Sequence, residues 1–316
     1  MKIGIPRSLF YYYYGDIWKD YLDYLNIKYI ISPLTNKEIM ENGEAIANDE
    51  MCLSLKNYLG HIDYLKDKCD YILVPRISNF NSNNQMCTNF WAAYDIVKNL
   101  FDIKILHYNI DFEKNYSIKK AFYNIGKNLK KTKLQIYKAY RYTMKNYKRR
   151  KKNNHEIMLN KLNSKKTKIL IISHPYNLYD EMIGKDIIKY LNKNDIELLY
   201  SDKFDYDITN KLSKKISKDL YFKSSKDNLG SIVLCNDRID GIIFISSFPC
   251  ALDSLANEIA FRKLKKPYLN LVIDSNTSFA GLETRLESFI DVLKGVKSWK
   301  YHFLTWVIII FQLNFY

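Results

Sequence analysis

Asp70-Tyr71-Ile72-Leu73-Val74-Pro75 and Asp240-Gly241-Ile242-Ile243-Phe244-Ile245 share one pattern, an aspartate followed by a short and nearly unbroken apolar run. Such a run, with no polar alternation, reads as a strand buried on both faces, the habit of parallel sheets covered by helices. Working outward, Ile3–Ile5, Tyr29–Ser32 and Ile103–His107 accompany the first run, and Ile169–Ser173, Glu197–Tyr200 and Tyr268–Ile273 the second. Between them the apolar residues take helical spacing, as in Ile17, Tyr21, Tyr24 and Leu25, or Leu255, Ile259 and Leu264. The expected fold is α/β: two tandem Rossmann-like or flavodoxin-like parallel-sheet domains joined by a long basic helical segment. The divisions expected are 1–110 for domain one, 111–166 for the basic linker, 167–295 for domain two and 296–316 for an apolar C-terminal tail.

The joining segment also explains the charge. The chain carries a net charge of +15, yet residues 111–168 alone hold 19 Lys or Arg against three acidic residues. The rest holds 30 basic and 31 acidic residues, so both flanking blocks are electrically ordinary. Ile118, Phe122, Ile125, Leu129, Ile136, Tyr140, Met144 and Tyr147 follow one apolar stripe, which predicts a single long amphipathic helix over roughly 115–150. Lys148 to Asn154 then reads as a solvated break. The lysines suit an acidic partner, the phosphates of a nucleotide or coenzyme, or RNA, but equally a solvated face that braces two domains. No Arg-rich or aromatic nucleic-acid motif accompanies them, so a nucleic-acid partner is not expected. The apolar run from Trp299 to Tyr316 is too short to span a bilayer unaided.

Hydrophobic residues at 47% and charged residues at 26% exclude a disordered chain, and five cysteines in 316 residues make no disulfide framework. With no basic and then apolar leader at the start, a reduced cytoplasmic compartment is expected. In open parallel sheets, ligands bind at the carboxyl ends of the strands. That rule sorts the cysteines. Cys87 and Cys250 each follow a third strand through a short loop and begin a helix, and Cys52 begins another helix after Asn48-Asp49-Glu50. All three fall at helix N-termini, where the dipole favours a thiolate. Cys69 and Cys235 precede the third strands, at the opposite end, and read as small buried hydrophobes. Three converging thiolates suit a [4Fe–4S] cluster with three Cys ligands. A zinc site would need a fourth ligand, a Cys250 nucleophile would take His174 as its base, and three unrelated buried cysteines would do nothing. Arg7 follows the first strand and could meet a phosphate or carboxylate; His174 leaves the first strand of domain two. No Walker A or G-x-G-x-x-G sequence marks an ATP or NAD site.

Lys2-Ile3-Gly4-Ile5-Pro6-Arg7-Ser8-Leu9-Phe10-Tyr11-Tyr12, Ser32-Pro33 with Thr35–Ile39, Asp49–Leu53 and Val74-Pro75-Arg76 resemble the acyl-CoA dehydratase activase-related proteins (the CoA enzyme activase uncharacterised domain family), relatives of the 2-hydroxyglutaryl-CoA dehydratase subunits. His174–Asn177, Ser246–Cys250 with Asp253-Ser254, and Ala280-Gly281 with Thr284–Glu287 continue the resemblance in order, over about residues 1–295. It implies an oxygen-sensitive iron–sulfur protein of anaerobic metabolism, with a [4Fe–4S] cluster, alone or as part of a double-cubane cluster, held by Cys52, Cys87 and Cys250 between the two domains. It further implies electron transfer from a separate ATP-dependent activator, an acyl-CoA substrate, a lyase or reductase reaction, and association as a homo- or hetero-oligomer. His174 takes the catalytic role in this scheme, and Arg7, Arg76, Asn177, Asp253 and Ser254 contact substrate or an anion.

The chain departs from the family in two places. Pro249, Ala251 and Leu252 stand where the family has Gly, Gly and Pro around the third cysteine, and Asp274–Gly281 lacks the usual Glu and His. The competing expectation is a cluster-free structural or binding descendant that meets anionic partners through its basic helix.

Overall fold

The computed structural model describes residues 1–295; the apolar tail at 296–316 lies outside the described residues. Domain one contains β1 (Lys2–Ile5), α1 (Tyr11–Tyr24), β2 (Lys28–Ile31), α2 (Lys37–Ile46), α3 (Leu53–Leu65), β3 (Tyr71–Asn79), α4 (Thr88–Leu100) and β4 (Ile105–Asp111). After α5 (Ile118–Asn128) and α6 (Lys133–Leu162), domain two contains β5 (Thr167–Ser173), α7 (Pro175–Leu178), α8 (Lys185–Lys193), β6 (Ile196–Tyr200), α9 (Tyr206–Ser213), α10 (Lys223–Cys235), β7 (Gly241–Ser247), α11 (Ala251–Phe261) and β8 (Tyr268–Ile273). A last helix, α12, covers 279–295. Each sheet has four strands, all parallel, in the orders β2-β1-β3-β4 and β6-β5-β7-β8. The two tandem parallel-sheet domains expected from the apolar runs are therefore present.

The repeated aspartate has a shared job. Asp70 N–H donates to Lys2 O and its carboxylate accepts from Lys2 N–H at 2.6 Å. Asp240 N–H donates to Lys168 O and its carboxylate accepts from Lys168 N–H at 2.8 Å. In both halves this clasp ties the foot of the third strand to the foot of the first and fixes their register.

Apolar side chains cover both faces of domain two's sheet. Ile169, Ile171, Ile243 and Ile245 pack with Leu286 and Ile290 of α12 on one side, while Leu170, Ile172, Ile242 and Phe244 pack with Leu229 and Ile232 of α10 on the other. Successive strand residues thus face opposite layers, and every one is buried, so no polar alternation is visible in sequence.

The helical segment differs from expectation. In place of one helix over 115–150, α5 and α6 are separated at Leu129–Thr132. The physical reason is a capping box: Thr132 Oγ1 accepts from Gln135 N–H and Gln135 Oε1 accepts from Thr132 N–H, satisfying two donors at a helix start. The expected solvated break at Lys148–Asn154 is also absent, because α6 runs through it to Leu162. Lysine and arginine are good helix formers, and Arg150 anchors this stretch to Asp20 of α1 at 2.7 Å. Ala139 of α6 belongs to the core of domain one, and Met158 and Leu162 to that of domain two. The helix therefore braces both sheets with its buried stripe and leaves its lysines outward. Among the described residues no helix is long and apolar enough to cross a membrane.

Candidate functional site

In both sheets the strand order reverses direction between the first strand and the third, and such a switch point opens a crevice at the carboxyl ends of the strands. The loops leaving β1, β3, β5 and β7 meet one another across the two domains. Leu53 N–H, at the start of α3, donates to Phe248 O in the loop after β7 at 2.9 Å. Ser54 Oγ donates to Asn177 Oδ1 at 2.6 Å and lies 3.1 Å from Ser247 Oγ. These buried bonds join the start of α3 in domain one to the loops leaving β5 and β7 in domain two. Close crossing of α2 and α3 sets the position of α3: a Cβ on Gly60 would lie 1.9 Å from Ile39 O, so only glycine permits the approach.

Cys52, Cys87 and Cys250 are the N-cap residues of α3, α4 and α11, as the sequence placed them. Asp253 N–H donates to Cys250 Sγ at 3.5 Å, and the first N–H groups of α3 and α4, from Leu55 and from Asn89 and Phe90, act on the sulfurs of Cys52 and Cys87 and favour negative charge there. Asn89 Nδ2 also donates to Cys52 Sγ at 3.5 Å, linking the second helix to the first cysteine. Cys250 feels the charge of both other thiols and Cys52 that of Cys87, so the three form one group.

Their acidity departs from the expected thiolate character. Burial pushes all three thiols up and outweighs the lowering by helix N–H groups; at Cys250 the neighbouring Asp253 carboxylate adds to the rise. Cys235 is fully buried, as expected of a small hydrophobe, and Cys69 is half-buried with its thiol directed at Leu65 O.

His174 stands beside this group. Its Nε2 lies 2.9 Å from Asp253 Oδ1 and its Nδ1 2.8 Å from the Tyr13 hydroxyl. Asp253 as a carboxylate can only accept, so Nε2 carries the N–H that faces it, and in a neutral ring Nδ1 then accepts from the Tyr13 O–H, which burial keeps protonated. Tyr176 stacks on the imidazole with centroids 4.7 Å apart and planes at 10°, holding the ring in that plane. Asp253 Oδ2 and Asn177 Nδ2 are buried with no hydrogen-bond partner. Tyr13 and Pro175 also line an interdomain cavity of about 240 Å³, together with Tyr14, Phe80, Tyr147 and Lys223.

The remaining expected residues are committed elsewhere. Arg7 folds back on Ser32, its Nε donating to Ser32 O at 3.0 Å, and lies over the Tyr11 ring. Arg76 is ion-paired with Asp95 and sits 4.6 Å over Tyr94. Ser254 is exposed, with its hydroxyl donating to Cys250 O at 2.8 Å. Tyr13, Tyr176, Ser54 and Asn89 were not singled out from the sequence. For Tyr13 a signal existed, the four consecutive tyrosines Tyr11–Tyr14 directly after the first strand.

The donor set fits an iron–sulfur cluster in kind. Three thiols each meet helix N–H groups, and an orphaned buried carboxylate oxygen belongs to the residue whose N–H meets Cys250. Among the described residues no three His, Cys, Asp or Glu side chains gather tightly enough to hold a metal ion. Cubane ligands bind separate irons, so they stand farther apart than ligands that share one ion.

The family described as CoA enzyme activase uncharacterised domain matches residues 2–204, close to two-thirds of the chain. Cys52, Cys87 and His174 lie inside the matched stretch, and Cys250 and Asp253 beyond it. No curated protein matches the chain. Among solved structures, a Mn-bound periplasmic metal binding protein from Candidatus Liberibacter asiaticus is similar at 12% identity, covering 93% of this chain and 99% of that one, with a TM-score of 0.30. The Zn(II)-bound ZnuA-like domain of Streptococcus pneumoniae AdcA is similar at 11% identity, covering 94% and 98%, with a TM-score of 0.27. Superposition this poor carries no argument about ligand or fold.

Proposed function

The chain belongs to the CoA enzyme activase uncharacterised domain family, and from that premise we propose that it is an iron–sulfur redox protein related to the 2-hydroxyacyl-CoA dehydratase subunits. The observation that supports this reading is the grouping of Cys52, Cys87 and Cys250, each an N-cap, within reach of one another's charge where the two switch points face each other. These three would hold a [4Fe–4S] cluster or one half of a double cubane, and the cluster supplies low-potential one-electron chemistry when bound. Helix N–H groups at each sulfur would offset the added negative charge.

The chain's own residues divide the remaining work. Tyr13 and Asp253 would fix the orientation and tautomer of the His174 ring beside the cysteines, with its Nε2 proton held on Asp253. The aromatic-lined cavity that Tyr13 shares would receive the acyl end of a CoA thioester, which its 240 Å³ suits. Electrons would come from a separate ATP-dependent activator in the cytoplasm.

Strictly anaerobic purification followed by iron and acid-labile sulfide analysis tests the reading. About four of each per chain, falling sharply in Cys87→Ser, is the expected result. Negligible iron after anaerobic reconstitution would overturn it and leave a cluster-free binding protein.

A further inference from the structure

A second cleft, of about 470 Å³, opens on the seam between the domains and is unlike the first in chemistry. Domain one contributes Asn81, Ser82, Asn83 and Asn84, the loop that leads from β3 to Cys87; domain two contributes the turn between α9 and α10 and the first part of α10. The lining carries three ammonium groups, Lys214, Lys218 and Lys226, against a single carboxylate, Asp219. Elsewhere along this seam lysines are paired with acids, as Lys203 is with Asp202 and Lys223 with Asp227. Among the described residues none of the three cleft lysines has an ion pair.

Lys226 is the telling member. It is only 8% exposed, and its Nζ is held by Asn83 O and, at 3.3 Å, by Asn84 Oδ1. An ammonium has three N–H donors, so one remains after these two acceptors. Lys214 stands close enough for its charge to act on Lys226. A buried cation beside a second cation is unfavourable unless something of opposite sign completes the site. A mostly polar lining of amides, hydroxyls and ammonium groups, with Leu220 and Tyr221 as its apolar part, fits a small, strongly hydrated anion.

We propose that this cleft binds a phosphoryl group, with Lys226 as its buried anchor and Lys214 and Lys218 closing over it. The same anion would fasten the Asn81–Asn84 loop to α10. That loop already docks there through the Tyr206 hydroxyl on Asn84 and through Lys223 N–H on Gln85 O at 3.0 Å. Binding is therefore expected to rigidify the approach to Cys87, whether or not the three cysteines carry a cluster.

Calorimetric titration of the full chain with inorganic phosphate, pyrophosphate and AMP, at low and high sodium chloride, tests the proposal. Saturable binding that weakens with salt is expected, with affinity reduced about tenfold or more in Lys226→Gln. The double variant Lys214→Ala/Lys218→Ala changes exposed positions only. It should also weaken binding, and it stands in should Lys226→Gln fail to fold. Equal or tighter binding of inorganic phosphate identifies the free anion as the ligand, and markedly tighter binding of pyrophosphate or AMP identifies a phosphorylated metabolite. No binding of any of the three at millimolar concentration, or binding indifferent to the lysine variants, overturns the site.

Discussion

Two histidines are buried, His61 between two hydroxyls and His174 between a hydroxyl and a carboxylate. His61 belongs to a directed chain. Arg7 N–H donates to Ser32 Oγ at 2.8 Å, Ser32 O–H donates to His61 Nδ1 at 2.8 Å, Nε2–H donates to Thr35 Oγ1 at 3.0 Å, and Thr35 O–H donates to Asp180 Oδ2 at 2.5 Å. Asp180 Oδ1 accepts from Met182 N–H, so the carboxylate is partnered at both oxygens. The other chain, Tyr13–His174–Asp253, is shorter and ends on an oxygen with no partner, next to three thiols. A satisfied buried network adds rigidity, whereas an unsatisfied one stores unfavourable free energy that a fold keeps where chemistry requires it. By that criterion His61 ties the domains together, and the unsatisfied chain marks His174 as the residue proposed to serve the site.

The largest effect that could break this comparison is His61→Ala. It strands the Ser32 and Thr35 hydroxyls and leaves an imidazole-sized void, a loss of about 3–5 kcal/mol by denaturant unfolding of the metal-free chain. A loss under about 1 kcal/mol would mean that the chain does not lock the seam.

Next in size is a pH effect. Burial holds His61 down to about 3 and raises Asp180 to about 6. For His61 the unfolded state binds a proton that the native state refuses, so stability falls as pH drops below about 6.5. For Asp180 the native state keeps a proton that the unfolded state has lost, so stability rises as pH falls from about 6 toward 4. The two slopes oppose one another in the same window. Asp180→Asn removes one of them, and unfolding free energy should then fall by about 1.4 kcal/mol per pH unit relative to the parent chain as pH drops from about 6 to about 4. Parallel pH profiles for parent and variant would show that the chain does not titrate this way.

What could be read in sequence follows the same division between local and tertiary causes. All eight strands were legible, the central ones most clearly, because strands buried on both faces are continuous apolar runs. The paired Asp70 and Asp240 were legible as a repeat, although their clasp on Lys2 and Lys168 was not. Strand, loop and helix order was enough to put Cys52, Cys87 and Cys250 at helix starts. Their weakened acidity was not legible, since a helix N-terminus is local but burial is tertiary. The break between α5 and α6 was written in Thr132 and Gln135 and was hidden by an apolar stripe that continues across it. His61 and Asp180 carry no sequence signal, since Thr35 brings them together only once both domains have folded.

The smallest expected effect is the most discriminating. In Asp253→Asn the side-chain oxygen can still accept from His174 Nε2–H, so the ring keeps its tautomer and its stack on Tyr176. The change replaces a buried carboxylate oxygen that has no partner by a neutral amide, which relieves desolvation and breaks no hydrogen bond. At neutral pH the metal-free variant should therefore match the parent chain within about 1 kcal/mol, with any shift toward greater stability, as is common where a functional group has been kept at the expense of the fold. A carboxylate inside a complete network behaves otherwise, because its partners were placed for it. If Asp253→Asn instead lowered stability by about 2 kcal/mol or more in a urea titration, Asp253 would be holding the domains together as Asp180 does. The orphaned oxygen would then no longer separate the two histidines, and the case for His174 as the working residue would rest on the cysteines alone.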